Sequence, residues 1–376
     1  MNVLHLNSNY LHSPLYSEMI SKLEKYSIEN TILMPRKTND NKHISDNLIE
    51  NNAKIEHSQF LKLSDRFFYF NKQKKIKNWI KSLNFNYGNY DVIHAHTLFS
   101  DGYLAYKSNR PYVITIRNTD VNYYMKYYKH LNNLGRHILN NANAVIFLSE
   151  TYKEKTFSKL YKNSEDIKKI EEKSYIIPNG INQYWINHKV NEKKRISNNI
   201  NFLFVGRIMR NKNIEFLAEN LNKKYFSQNI KIYIIGDIID EVYYKELKKY
   251  KHLIFLGSKS KEEISRIMKK MHVFSLVSHH ESFGLVYLEA LTQNLPVLYT
   301  KNEGFDKYFL DGTVGYSVNS KDGIDLIKKT NMIIENYSQI QNNLNELNKE
   351  AFSWEQNAEY HNEVYLKIIK GTNYYT

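Results

Sequence analysis

Cysteine is absent from the 376 residues, which excludes disulfides, thiolate catalysis and cysteine-ligated metals and fits a reducing compartment. Proline, at 5, and glycine, at 13, are scarce beside abundant Asn, Lys, Ile and Tyr; this bias reads as AT-rich coding of a globular chain and not as a disordered Asn-rich tract. No apolar run approaches the roughly 18 residues of a membrane span, and the chain enters Val3-Leu4-His5-Leu6 without a signal-peptide core. A cytoplasmic protein is the expectation. Acidic residues are outnumbered 39 to 53, a net charge of +14, so an anionic partner is implied: a nucleotide, a lipid headgroup surface or nucleic acid. What remains is ample for two cores, with 42% hydrophobic and 14% aromatic residues over a length that favours two domains.

Short β-rich runs alternate with longer helical patterns in the first half: Val3–Asn7, Thr31–Pro35, Asp91–His96, Tyr112–Arg117, Ala144–Ser149 and Tyr175–Pro178. A polar stretch from Asn187 to Asn201 reads as a linker. A second series follows at Asn201–Arg207, Lys231–Asp237, His252–Ser258, Val273–Ser278 and Leu295–Thr300. Such alternation implies βαβ units and parallel sheets, hence two doubly wound domains in tandem. Ligands of such sheets bind beyond the carboxyl ends of the strands. In the second domain those ends carry Gly206-Arg207, Gly236-Asp237, Gly257-Ser258 and the run His279 to Gly284, and together they suggest a phosphate-bearing site.

Within Ser278-His279-His280-Glu281-Ser282-Phe283-Gly284-Leu285, strand gives way to helix, so Glu281 falls in the turn and Glu289 in the helix. Eight steps at 100° leave their side chains roughly 80° apart on a continuous helix, and one of the two belongs outside it. Arg207 and Lys212 follow the first strand of the domain and could direct positive charge at one anion; a solvated basic loop is the plainer reading. Glu289, between apolar turns, needs partners if buried, and a ribose diol offers two hydroxyl donors; a surface glutamate is the commoner fate. His279-His280 has no third ligand at metal spacing nearby.

The order VGR…K, IIGD, FLGS, SxxESFGLxxxEAL and LPV, with VIHAH at 92–96, PNGIN at 178–182 and FSWEQNAEYHNEVY at 352–365, resembles the retaining glycosyltransferases of family 4, of GT-B fold: two Rossmann-like doubly wound domains facing a central cleft. The resemblance covers nearly the whole chain and implies an acceptor-side domain at 1–186, a nucleotide-sugar domain at 187–351 and a closing segment at 352–376 that returns to the first domain. It further implies that Arg207 and Lys212 grip the donor diphosphate and that Glu289 holds the ribose. Glu281 and the amides around Ser282, Phe283, Gly284 and Leu285 would meet sugar and phosphate, with Gly206, Gly236 and Ser258 lining the donor. His96, Arg117 and Asp120 are possible sugar or acceptor contacts. The donor, a UDP-sugar by expectation, is a substrate, and neither cofactor nor metal is implied, because no Asp-x-Asp occurs. Two departures stand out: Asn7-Ser8-Asn9 replaces the family's Gly-Gly turn, and Arg117 stands where a histidine is common.

Two basic aromatic stretches remain. Residues 67–83 align Ile76, Ile80 and Leu83 on one helical face, with Lys72, Lys74, Lys75, Lys77 and Lys81 around the rest, a pattern for sheet packing or for docking on anionic lipid. Tyr123 to Lys129 spaces tyrosines for core packing, sugar stacking or the bilayer interface. The expected function is therefore glycosyl transfer to a glycan or polyprenyl-diphosphate-linked acceptor in surface polysaccharide synthesis, at the inner face of the cytoplasmic membrane. The alternatives are an epimerase or hydrolase of the same fold, or a non-enzymatic binder of anionic polymer; no nucleic-acid recognition signature is present.

Overall fold

The computed structural model describes residues 1–42 and 51–372; the last four positions of the expected closing segment, 373–376, lie outside them. Two compact units form, one from residues 1–148, 152–180 and the segment from Trp354, the other from 149–151 and 181–353. The divisions thus fall at 180/181 and 353/354, against 186/187 and 351/352 read from the sequence.

The first unit is a seven-stranded sheet, built from β1 (Asn2–Leu6), β2 (Glu29–Lys37), β3 (Lys54–Leu61), β4 (Val92–Ala95), β5 (Tyr112–Ile116), β6 (Ala144–Phe147) and β7 (Ser174–Ile176), in the order β3-β2-β1-β4-β5-β6-β7. The second is six-stranded: β8 (Asn199–Val205), β9 (Asn229–Ile235), β10 (Leu253–Gly257), β11 (Val273–Leu276), β12 (Val297–Thr300) and β13 (Gly315–Val318), in the order β10-β9-β8-β11-β12-β13. All pairings are parallel. Runs such as Val92-Ile93-His94-Ala95 and Val273-Phe274-Ser275-Leu276 are buried at every position, as strands covered on both faces must be.

The strand orders fix where ligands can enter. In each sheet the chain builds outward in one direction and then returns to build in the other, so the order reverses between β1 and β4 and between β8 and β11, which are direct neighbours. Loops leaving the two strands at such a reversal diverge to opposite faces and open a crevice at their carboxyl ends. The stretch 187–201, expected as a linker, belongs to the second unit, and its last residues open β8. Among the described residues no helix is long and apolar enough to cross a membrane.

Candidate active site

At the reversal in the second unit, the loop after β8 and the loop after β11 are tied together. The amide of His279 donates to the carbonyl of Asn211 at 2.9 Å, and the Asn211 side chain donates to the carbonyl of His280 at 2.9 Å. Across this junction Lys212 Nζ meets Glu281 Oε2 at 2.6 Å, both side chains largely buried. Glu281 also receives Ser278 Oγ at 3.4 Å and the Ser282 amide at 3.2 Å, and its own amide donates to Glu303 Oε2 at 3.0 Å. The sequence placed Lys212 towards an anion; the structure pairs it with Glu281. An ammonium has three donors, so this bond fixes the side chain while leaving capacity for a further acceptor.

Arg207 is exposed and makes no ion pair among the described residues. Its neighbour Arg210 is committed, to Glu246 at 2.7 Å and over the ring of Tyr243 at 5.3 Å, so Arg207 is the uncommitted guanidinium of this loop. Gly206, Gly236 and Gly257 stand level at adjacent strand ends: the Gly206 amide donates to Ile235 O at 2.9 Å and that of Gly236 to Gly257 O at 3.1 Å. Ser258 donates its hydroxyl to Asp237.

Gly284 precedes the helix Leu285–Thr292 with φ of +75°, and a Cβ there would lie 2.4 Å from the Tyr287 ring, so the sharp entry into the helix requires glycine. The helix has no side-chain N-cap. Phe283 turns inward onto Phe305 and Tyr308, leaving the backbone around it as the presented surface. Unsatisfied N–H groups at a helix start favour an anion.

Glu289 is half-buried, and burial lifts its pKa to about 7 against the opposing influence of Lys261 and Trp185. The buried Trp185 indole Nε1 lies towards this carboxyl without completing a hydrogen bond. Glu303 and Gly304 were not singled out in the sequence. Gly304 lies against the backbone of Ser282, where a Cβ would come within 1.4 Å of its carbonyl oxygen. Their position straight after a buried strand, in Lys301-Asn302-Glu303-Gly304-Phe305-Asp306, was the available signal. His280 approaches Glu303 at 3.6 Å.

Three residues of the first unit, His96, Arg117 and Asp120, were expected to touch sugar, and each is held by contacts within that unit. Asp120 is fully buried and accepts the backbone amides of Leu98, Phe99 and Arg117 at 3.1, 3.1 and 3.0 Å; burial raises its pKa to about 6 against those bonds. Through these bonds it orders the loop after β4. His96 is likewise buried, within a group comprising His5, His94 and His361 that burial keeps uncharged. His5, His94 and His96 offer ring nitrogens within 4.8 Å of one another, but His5 engages Asn30 and His96, and His94 engages Tyr365 and Thr115. Arg117 donates to His96 O and Asn179 Oδ1, each at 3.2 Å, and stacks over Tyr16. In the loop after β1, where the family's glycines are missing, Ser8 donates through amide and hydroxyl to Asp101 at 3.1 and 2.6 Å.

Residues 18–183 match the family described as Glycosyltransferase Family 4, and residues 186–354 match Glycosyl transferases group 1. These matches and the two-sheet architecture make the chain a GT-B glycosyltransferase. It is 26% identical over 289 residues to a glycosyltransferase of Methanocaldococcus jannaschii, covering 71% of this chain and 72% of that protein. To the alpha-monoglucosyldiacylglycerol synthase of Acholeplasma laidlawii it is 27% identical, over 63% and 65% of the two. The Anabaena HepE structure in complex with UDP-glucose superposes over 99% of both chains with a TM-score of 0.64 at 17% identity.

Proposed function

We propose that the chain is a metal-independent, retaining glycosyltransferase that moves a sugar from a UDP-sugar to a glycan or lipid-linked acceptor. The observation that carries this reading is the convergence, at the β8/β11 reversal, of Lys212 fixed by Glu281, the uncommitted Arg207 and an uncapped helix start. Such a set suits a diphosphate whose charge grows as the glycosidic bond breaks. Bond cleavage leaves the electron pair on the diphosphate oxygen; a phosphate oxygen on the same face then accepts the proton of the incoming hydroxyl, so configuration is kept without a carboxylate nucleophile. Glu281 serves to position Lys212, and Glu289 to receive the ribose hydroxyls. The complex of HepE with UDP-glucose supports the choice of donor. A thermal-shift series with UDP and UDP-sugars tests it: saturating ligand at a hundredfold excess over Kd raises stability by about 2.7 kcal/mol, and no shift with any nucleotide refutes it.

Metal independence has its own test. Activity should persist in EDTA, because Lys212, Arg207 and backbone amides supply the positive field. Loss on chelation, reversed by Mg²⁺ or Mn²⁺, would refute it.

With Glu289 titrating near pH 7, donor binding acquires a pH dependence of defined sign. Only the carboxylate accepts two hydroxyl donors, so donor KM should rise as pH falls from 8 to 6, approaching tenfold per unit below 7. Glu289→Gln should flatten this profile; an unchanged profile would remove Glu289 from the ribose contact.

Membrane docking is proposed for the helix Tyr69–Ser82, since Phe67, Phe68 and Phe70 beside it are each more than 60% exposed. The sequence counted five lysines for this surface. Two are otherwise engaged: Lys75 pairs with Asp65 at 2.7 Å and Lys72 reaches the Ser100 hydroxyl at 3.5 Å. Lys74, Lys77 and Lys81 are exposed and remain, each contributing about 1 kcal/mol near anionic lipid. Sedimentation with phosphatidylglycerol vesicles should fall steeply with salt and vanish on charge reversal of these three; equal sedimentation with neutral vesicles argues against it. The product named in the Acholeplasma relative, a glucosyldiacylglycerol, supports a lipid acceptor.

A further inference from the structure

The reversal in the first unit opens beside a cavity of about 350 Å³, whose walls come from the loop after β1, the ends of β2 and β3, and the helix Tyr69–Ser82. Five basic side chains line it, Arg36, Lys37, Lys62, Arg66 and Lys72, against two carboxylates, Asp40 and Asp65. Both carboxylates are already neutralised: Asp40 by Arg36 at 3.1 Å and Asp65 by Lys75 at 2.7 Å. Lys37, Lys62, Arg66 and Lys72 have no carboxylate within ion-pair distance among the described residues. The cavity's uncompensated charge is therefore positive.

Lys72 is the informative member. Its side chain is half-buried at the cavity wall, burial disfavours its charge, and its one hydrogen bond among the described residues is a long one, 3.5 Å to the Ser100 hydroxyl. Its charge is answered only through space, by Asp101 and Asp65, so an arriving anion would supply the close partner that a part-buried ammonium lacks. Arg66, at the same wall, is held by the Tyr123 hydroxyl at 3.1 Å and the rings of Phe67 and Tyr123, which leaves the rest of its donor fork unassigned.

We infer that this cavity binds the phosphate of a phosphorylated acceptor, with Lys72 and Arg66 as its principal donors. The inference rests on the glycosyl-transfer reading, because it assigns the charged part of the acceptor. A lipid diphosphate and a soluble sugar phosphate share the recognised group. The first would lie with its tail beside the exposed Phe67, Phe68 and Phe70, whereas the second would leave them bare.

The test is calorimetric titration of the whole protein with inorganic pyrophosphate in the presence of saturating UDP, so that the donor site is occupied. Pyrophosphate should bind, and Lys72→Met should weaken it at least tenfold, with Lys72→Arg retaining most of the affinity and UDP affinity unchanged in both. No pyrophosphate binding to the UDP-bound protein, or binding unaffected by Lys72→Met and by Arg66→Ala, overturns the proposal. Failure of UDP to bind speaks against the donor reading instead, and pyrophosphate is then titrated alone into wild type and Lys72→Met with the same criteria. Farnesyl diphosphate in detergent and glucose 6-phosphate, titrated in parallel, separate the two sources: a lipid site prefers the former and loses that preference in a Phe67→Ser/Phe68→Ser/Phe70→Ser variant.

Discussion

Alanine at Lys212 or at Arg207 is expected to lower kcat by about 10² or more, near 3 kcal/mol of barrier, while circular dichroism shows the variants folded. The argument is one of timing. Charge accumulates on the diphosphate only as the glycosidic bond lengthens, so a cation placed there binds the transition state more strongly than the ground state. The two variants should differ in kind. Arg207 is exposed and uncommitted, so its loss removes charge and little else. Lys212 is half of a 2.6 Å pair with Glu281, so its loss also leaves a mostly buried carboxylate without its cation, and a stability cost accompanies the kinetic one. Glu289→Ala provides the contrast, because the ribose contact proposed for it would persist through the reaction and its loss should appear mainly in donor KM. Wild-type kinetics in both cation variants would place the donor diphosphate elsewhere.

Gly304→Ala should be nearly as damaging without removing any chemical group. A methyl there would sit 1.4 Å from the Ser282 carbonyl oxygen, far inside contact distance, so one of the two loops must move. Glu281, whose amide is held by Glu303, moves with them. Strain of this kind costs about 3 kcal/mol, equivalent to a fall in Tm of roughly 6–12 °C for a unit of this size. Donor affinity should fall with it. A variant with unaltered melting and donor KM would show that the two loops separate freely, and the rigid positioning of Lys212 by Glu281 would no longer hold.

Much of this arrangement is legible in the sequence because buried parallel strands are short, apolar runs ended by glycine or polar residues. The strands carrying the donor loops announce themselves in this way. β3 escaped because Lys54-Ile55-Glu56-His57-Ser58-Gln59 is an edge strand with mostly polar side chains at its surface, and β13 because four residues between turns give no period. The tandem glycines and the Glu281/Glu289 spacing pointed to the loops after β8 and β11, since each answers a local demand of backbone or charge. Partner choice was less accessible. Lys212 and Lys75 each find a carboxylate from another part of the chain, and Asp120 is claimed by amides some twenty residues away. Spacing along one helix put Lys72 among the solvated lysines, yet it reaches the Ser100 hydroxyl in the loop after β4. Such outcomes depend on what the fold brings alongside, which no local pattern encodes.

The helix Trp354–Thr372 gives the first unit a particular history. Trp354, Ala358, Val364, Tyr365 and Ile368 pack with Val3, Met19, Ile20, Leu23 and Val92 in one apolar cluster, and Tyr365 donates to or accepts from His94 at 2.6 Å. During synthesis, β1 to β7 leave the ribosome first, yet the side chains that cover them arrive only after residues 181–353 have been made. At elongation rates of about 5–20 residues per second, that delay is roughly 9–35 s, far longer than the collapse of a chain this size. Throughout it, the first unit holds an apolar groove and an uncovered histidine cluster open to water while the second is still being made. The half of the molecule that is born first is the one that matures last.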